Sequence, residues 1–367
     1  MRRLALLLVV LAACGDSAIE LSLALPESNT DDISCVTAVE VWADGEDTSA
    51  VTSPDGLITH PPTDIRQCIA VSNLTSWSAV QSALAGKFEL KLPATGLTGF
   101  EVRGFSGTCD GSQLGDTIFY GGATSDGNDV TIQLVPARDC SDRTTLTVRP
   151  IDYATLAGGT CPGPISDGSS VENVLLRPSG VRGMWLDDSA SRAVTTGGTA
   201  SVDAFSSVSY PANDHSCDAI YVNPSDDREG ITCISTAASI CAMTGETEVG
   251  VIDGDAAYAA TDKTLFAKYH GIVFGAVWAV QNGDTDPTPL AGATITFTDA
   301  SEGEVVYIGP TFHALSNQGA TNSNGMFALY TNAATDITVS ASGFAPKQVR
   351  VAAWPKDPSV VLVRMTN

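Results

Sequence analysis

Through most of the chain, apolar and polar residues alternate in short runs, and clusters of Gly, Pro, Asp, Asn and Ser separate the runs. A period of two puts every second side chain on one face, so these runs predict strands with one buried and one solvated face. Lys87-Phe88-Glu89-Leu90-Lys91-Leu92, Gly99-Phe100-Glu101-Val102-Arg103 and Asp129-Val130-Thr131-Ile132-Gln133-Leu134 all follow this pattern. Asp126-Gly127 reads as a hairpin turn, because both residues tolerate the positive φ such a turn needs. Helical spacing stands out around Leu74 to Ala85, where Leu74, Trp77, Val80, Ala83 and Leu84 make one apolar stripe. The prediction there is a short helix that caps or connects strands.

Past residue 142 the pattern loosens into loops rich in Gly, Ser, Thr and Asp. Strands are predicted at Thr145 to Val148, Val171 to Leu176, Gly183 to Leu186, Ser201 to Val208 and Ile220 to Val222. From Gly271 the chain becomes regular again. Ile272 to Val280 is apolar throughout, as expected for a strand buried on both sides. Thr294 to Thr298, Met326 to Tyr330 after an Asn324-Gly325 turn, Ile337 to Ala341, Gln348 to Val351 and Val360 to Met365 follow. Turn signals every eight to twelve residues or so suit sandwich domains. The expected fold is all-β, made of tandem β-sandwich domains of immunoglobulin-like or transthyretin-like type. The expected division is a β-sandwich over 18–141, a β-rich domain over 142–266 and a third sandwich over 270–367.

The N-terminus reads differently. Arg2 and Arg3 precede an unbroken apolar run from Leu4 to Ala13. As a helix that run is roughly 15 Å long, half a bilayer core, so it predicts a processing signal and not a membrane span. Leu11-Ala12-Ala13-Cys14-Gly15 resembles the lipobox of bacterial lipoproteins, in which small residues precede a cysteine that takes a diacylglycerol. The resemblance implies a signal peptide over 1–13, palmitoylated Cys14 as the mature N-terminus and 14–17 as a tether. Stable anchoring needs more than one acyl chain, and this chemistry supplies several. Gly15, where an inner-membrane lipoprotein of enteric type has Asp, implies the outer membrane, with the body facing the periplasm or the surface.

With Cys14 acylated, eight of the nine cysteines remain: Cys35, Cys68, Cys109, Cys140, Cys161, Cys217, Cys233 and Cys241. An even number in an exported chain reads as a disulfide framework whose connectivity sequence leaves open. Our preferred hypothesis joins neighbours: Cys35–Cys68, Cys109–Cys140, Cys161–Cys217 and Cys233–Cys241. The third domain has no cysteine. There, Gly275-Ala276-Val277, Pro289-Leu290-Ala291-Gly292-Ala293-Thr294-Ile295, Thr321 to Leu329 and Val339-Ser340-Ala341-Ser342-Gly343-Phe344-Ala345-Pro346 occur in an order that resembles the carboxypeptidase regulatory-like domain. That resemblance implies a seven-stranded transthyretin-like sandwich, a common accessory module of the bacterial envelope within a superfamily that includes carbohydrate-binding folds. It also implies tight turns at Gly292 and Gly325, an inward face shared by Phe327 and Leu329, and a strand ending at Pro346. Related pilin-type domains carry a Lys–Asn isopeptide bond; Lys268 and Asn367 flank the domain, but such partners sit buried inside strands and both of these read as exposed, so no bond is expected.

Charge narrows the partners. Removal of Arg2 and Arg3 takes the formal charge from −23 to −25, which disfavours nucleic acid and anionic lipid headgroups. Gly15-Asp16-Ser17 and Gly104-Phe105-Ser106-Gly107-Thr108 lack the partners and setting of a hydrolase nucleophile. The histidines His60, His215, His270 and His313 have no spaced partner, and Asp214-His215 beside Cys217 is weighed as a metal site against a disulfide half. The acidic turns Asp126 to Asp129, Asp253-Gly254-Asp255 and Asp284-Thr285-Asp286 lack EF-hand spacing, and β-turns need the same residues. Trp42, Trp77, Trp185, Trp278 and Trp354 would make a sugar platform only if exposed. Trp278 is expected in the core and Trp354 outside it. The expectation is a non-enzymatic structural or binding protein with no cofactor, its partners the membrane through Cys14 and an envelope protein or glycan. A carbohydrate-binding lipoprotein and a hydrolase in the middle domain are the alternatives.

Overall fold

The computed structural model describes residues 21–26, 31–45, 51–52, 58–59, 65–84, 98–110, 115–125, 129–163, 165, 169–176, 192–195, 198–205, 217–223, 228–233, 240–241, 245–269, 271–280, 286–315, 318–331, 334–353 and 358–366. It is predominantly β. It divides into two compact units. The first comprises residues 1–144, 177–190 and 205–214, and the second comprises 145–176, 191–204 and 215–367.

The first unit contains β1 (Leu21–Ala24), β2 (Ala38–Gly45), a short hairpin of β3 (Val51–Thr52) and β4 (Ile58–Thr59), and β5 (Ile65–Ala70). It continues with α1 (Trp77–Leu84), β6 (Thr98–Phe105), β7 (Thr117–Ser125), β8 (Val130–Gln133) and β9 (Val135–Pro136). The main sheet runs β5-β2-β6-β7-β9, antiparallel throughout, and β1 pairs β8 in parallel. The apolar stripe predicted for α1 is buried at Leu74, Trp77, Val80 and Leu84, and the Trp77 ring meets Phe119 edge-on at 5.2 Å. Leu23, Val39, Val41, Phe100, Val102, Ile118 and Ile132 share that core.

The hairpin expected at Asp126-Gly127 does not join the strands on either side of it. β7 pairs with β6 and β9, and β8 pairs with β1. β8 crosses over β7 instead, so closely that a Cβ on Gly121 would lie 2.6 Å from the Gln133 carbonyl oxygen. Residues 126–128 lie outside the described residues, as does the run Lys87 to Leu92.

The second unit opens with β10 (Arg143–Asp152), which starts just before the unit boundary. It continues through α2 (Tyr153–Leu156), β11 (Ser170–Leu176), β12 (Arg192–Ala193), β13 (Ala200–Phe205), β14 (Cys217–Asn223), β15 (Arg228–Cys233) and β16 (Thr247–Asp253). Two short helices follow, α3 (Gly254–Ala260) and α4 (Lys263–Tyr269). The remaining strands are β17 (Ile272–Ala279), β18 (Thr288–Pro289), β19 (Thr294–Phe297), β20 (Gly303–Ile308), β21 (Ala314–Leu315), β22 (Met326–Thr331), β23 (Ala334–Ser340), β24 (Lys347–Ala352) and β25 (Ser359–Met365).

One large sheet runs β12-β11-β14-β15-β25-β17-β22-β20-β21, and a three-stranded sheet, β19-β23-β24, faces part of it. Val273, Val277, Ile295, Phe327, Leu329, Ile337, Val339, Val361 and Val363 fill the space between the two sheets. Phe327 and Leu329 therefore do point inward together, and Gly292 and Gly325 take φ values of 80° and 70°. Pro346 lies immediately before β24 and does not end a strand.

The other face of the large sheet is also covered. Phe274, Trp278, Tyr330 and Leu362 pack on Tyr153, Leu156, Ile252 and Tyr269. Every residue of β17 and β22 is consequently buried, which is why β17 reads as an apolar run without alternation.

The sheet does not stop at the division drawn near residues 266–270. β25 pairs in parallel with β17 along its whole length and with β15 at Ile231↔Ser359, and the Thr232 hydroxyl donates to the Val360 carbonyl at 2.7 Å. Residues on either side of that division thus share one sheet and one core. Short-range pattern cannot reveal this pairing, because the last strand joins strands far back in the chain.

Candidate functional site

The cysteines form the most extensive constellation predicted from sequence, and all eight downstream of Cys14 are in bridges. The bridges are Cys35–Cys140, Cys68–Cys109, Cys161–Cys241 and Cys217–Cys233. The first four cysteines do pair among themselves, as do the last four, but pairing of sequence neighbours is overturned. β2 pairs with β5 and β6, which carries Cys68 on β5 towards Cys109 just beyond β6 and leaves Cys35 for Cys140. Each half therefore has an outer bridge enclosing an inner one, with sequence separations of 105 around 41 and 80 around 16.

At Cys35–Cys140 the incoming and outgoing chain of the first unit lie side by side, their Cα atoms 5.7 Å apart. The Cys140 amide donates to the Asp32 carbonyl at 2.8 Å, and the Asp32 amide donates to Asp139 Oδ2 at 3.2 Å. Asp139 also accepts from the Ser141 amide at 2.9 Å and the Ser141 hydroxyl at 2.6 Å. Burial on its own would raise the Asp139 carboxyl, but these donors outweigh it and hold the group below its ordinary value. Beyond the seam, Arg143 donates to Asp116 Oδ2 at 2.6 Å and to Ser106 Oγ at 3.1 Å. The arginines Arg138 and Arg143 lie over the Phe205 ring, 5.1 and 5.5 Å from its centroid.

In the second unit, the buried Glu248 carboxylate accepts from the Ile240 and Cys241 amides at 2.6 and 2.7 Å and from Arg149 at 3.4 Å. It fastens the Cys241 end of the outer bridge to β16, which pairs in parallel with β10. The Tyr153 hydroxyl, fully buried, donates to the Gly275 carbonyl at 2.8 Å and to the Phe327 carbonyl at 3.3 Å. Burial pushes its phenol well above the ordinary value. A Cβ on Gly275 would lie 2.0 Å from the Phe327 ring, so glycine is what lets β17 and β22 lie together there.

The remaining candidates resolve individually. Ser106 sits just past the end of β6 and its hydroxyl accepts from the Asp116 amide at 3.0 Å, the role of a turn residue. Cys217 is bonded to Cys233, so its sulfur is no metal ligand. Asp253 accepts from the Ala256 amide at 3.0 Å and thus caps α3. Trp77 and Trp278 are core residues. Lys268 Nζ lies 2.6 Å from Glu304 Oε1 and 4.5 Å from the centre of the Tyr269 ring. The hydrogen bond that Lys268 donates to the Glu304 carboxylate raises its amine above the usual value. His313 precedes β21 and is exposed. Cys14, Gly15 to Ser17, His60, Asp214, His215, His270, Asp284, Trp185, Trp354, Asn367 and the Trp42 side chain lie outside the described residues. Among the described residues, no three His, Cys, Asp or Glu side chains converge as a metal-binding group.

No family model matches this chain, and no curated protein matches it. Among solved structures it is similar to GBS52, a minor pilin of Streptococcus agalactiae, at 10% identity over 61% of this chain and 95% of that one, with a TM-score of 0.19. It is also similar to putative polysaccharide-binding proteins from Bacteroides thetaiotaomicron, at 10% identity over 66% and 82%, with a TM-score of 0.19. The fimbrial anchor protein Mfa2 from Porphyromonas gingivalis matches at 12% identity over 55% and 76%, with a TM-score of 0.21. Overlays this loose transfer neither a site nor an activity.

Sequence reasoning missed Glu248, Tyr153 and the outer bridges. Their partners lie between 7 and 174 residues away, and no local spacing announces them. The aspartates before α2, α3 and α4 were available as signals. Asp152, Asp253 and Asp262 each accept from an amide two or three residues on, the mark of a helix N-terminus.

Proposed function

We propose that this chain is a bacterial envelope lipoprotein, held in the outer membrane by acyl chains on Cys14. Its β-rich units are non-catalytic spacers and recognition surfaces towards another envelope component. The observation that carries the reading is the cysteine inventory. Of nine cysteines, the eight downstream of Cys14 are consumed in four bridges, which leaves the cysteine of the lipobox-like Leu11-Ala12-Ala13-Cys14 for acylation. Four bridges also suit an oxidising compartment outside the cytoplasm. Of the groups that sequence offered to catalysis or metal binding, Ser106 serves a turn, Asp253 a helix cap and Cys217 a bridge. The cysteine-free sandwich of β17 to β25 is consistent with the carboxypeptidase regulatory-like resemblance of its turns and strands, and we assign it the accessory role of such modules.

The test is metabolic labelling of expressing bacteria with a clickable palmitate analogue, followed by membrane fractionation. The wild-type chain should carry label and sediment with outer membranes, and Cys14→Ser should lose both. A mature chain released unlabelled, with Cys14 as a free thiol, would overturn the anchor.

A further inference from the structure

The outer bridges are arranged so that about half of the chain lies off a path of tension between its ends. We propose that the first unit is a covalently closed load-bearing link. A pull between the N-terminus and the C-terminal sandwich crosses Cys35–Cys140 and bypasses β2 to β9. As a pull on the membrane, this rests on the lipid at Cys14.

The chain enters the first unit beside the place where it leaves. Residues 32–35 and 139–140 are joined by the bridge, by the Cys140 amide on the Asp32 carbonyl and by the Asp32 amide on Asp139. The outgoing chain passes at once into β10. Everything between the two cysteines, the Cys68–Cys109 bridge included, is a side loop that carries no load. The second unit repeats the device. Cys161–Cys241 encloses β11 to β15, Cys217–Cys233, and the stretches 177–190 and 205–214 that belong to the first unit. From Cys35 onward, the backbone under load is 140–161 and then 241 to the end.

Strand pairs and helices separate under force, whereas a disulfide holds the length of its loop out of reach. At about 3.5 Å per residue, separations of 105 and 80 keep about 370 Å and about 280 Å of chain from being drawn out. An anchor built this way keeps its partner at a bounded distance from the membrane even when its sheets open. Two outer bridges in series, each around an inner one, serve this end, whereas neighbour pairing would have left longer stretches under load.

Single-molecule stretching of the mature chain tests this, with one handle in place of the lipid at residue 14 and one at the C-terminus. Oxidised protein should release no length from residues 35–140 at forces that unfold β17 to β25. A small-molecule thiol reductant added under load should then produce two steps of about 220 Å each, one for each outer bridge. They are the 105-residue loop less the 41 residues that Cys68–Cys109 still holds and the 80-residue loop less the 16 that Cys217–Cys233 holds, about 64 residues in each case. The double variant Cys68→Ser, Cys109→Ser should stretch like wild type while oxidised and on reduction give one step of about 370 Å in place of one of the two. Wild type that yields the 220 Å before reductant is added, or an inner-bridge variant that lengthens while oxidised, would overturn the proposal. The handle replaces the lipid, so failed palmitate labelling would remove the membrane from one end of the path without touching this result.

Discussion

β2 to β9 and α1 lie inside one covalent loop between Cys35 and Cys140, whereas β17 to β25 run from Ile272 to Met365 without a cysteine. Individual strands of the two regions also differ in how they are buried. In the first unit, β8 buries Ile132 and leaves Thr131 and Gln133 exposed, as a strand with one solvated face must. In the second, β17 and β22 are buried at every position, because the sheet is covered on one side by β19, β23 and β24 and on the other by Tyr153, Leu156, Ile252 and Tyr269. Apolar burial stabilises in proportion to area, and a strand covered on both faces buries about twice as much per residue as one covered on a single face. The stretch from β17 to β25 holds together without a cross-link, whereas Cys217–Cys233 joins β14 and β15 of the same large sheet and Cys35–Cys140 closes the first unit.

Reduction should break this comparison open most widely. Closing a loop of about 100 residues stabilises by about 4–5 kcal/mol through the chain entropy of the unfolded state. Thiol reductant at a fixed, sub-denaturing urea concentration should strip hydrogen-exchange protection from β2, β6 and β7 and leave β17, β22 and β25 protected. Loss of protection in step across both regions would show that the sandwich depends on the bridges as well.

A smaller effect is expected from the opposite perturbation. Gly275→Ala places a methyl group 2.0 Å from the Phe327 ring, a clash between two core strands with no free volume to relax into, and should cost about 3 kcal/mol. Tyr153→Phe, which deletes only the hydroxyl that donates to the Gly275 and Phe327 carbonyls, should cost about 1 kcal/mol. In thermal melts of oxidised protein, both should lower the transition that carries β17 exchange and spare the first unit. The order of the two variants checks whether packing or the buried hydrogen bond matters more.

The smallest separation is in pH. Asp139 is held below its ordinary 3.8, so its carboxylate is favoured by the fold. Its contribution is complete above pH 3.8 and is lost as pH falls through the lowered value. Tyr330 is the reverse: burial, only partly offset by the hydrogen bond from the Asp262 amide, pushes it up to about 12. The fold favours its neutral phenol, so that contribution is complete below pH 10 and drains away between 10 and about 12. Asp139→Asn should flatten the acid limb of stability slightly, and Tyr330→Phe the alkaline limb. Denaturant titrations across pH, with tyrosinate absorbance for the second, would measure both.

How much was legible from the residues differs by region for the same physical reasons. Alternation located β8 and β19, and the stripe at Leu74, Trp77, Val80 and Leu84 located α1, because each of these has one wet face that sets a period, whereas β6 alternates in sequence although Glu101 is buried. β15, β16 and β20 escaped. So did α3 and α4, which are two turns each and too short for a helical period to build up. The expected hairpin at Asp126-Gly127 failed because turn chemistry says where a chain can reverse, and says nothing about which neighbour claims the strand edge afterwards.

By itself the sequence determined the β-rich class, the even set of cysteines downstream of Cys14 and the doubly buried character of Ile272 to Ala279. Each of these is a local property, set by side-chain alternation, by hydropathy or by a count. Tertiary structure alone decided which cysteines meet, that β25 joins β17 to β15 across the division near residue 266, and that Tyr153 and Glu248 have buried partners. Such pairings depend on which distant segments the folded chain brings within a few ångströms, and neither the spacing nor the composition of a segment encodes that.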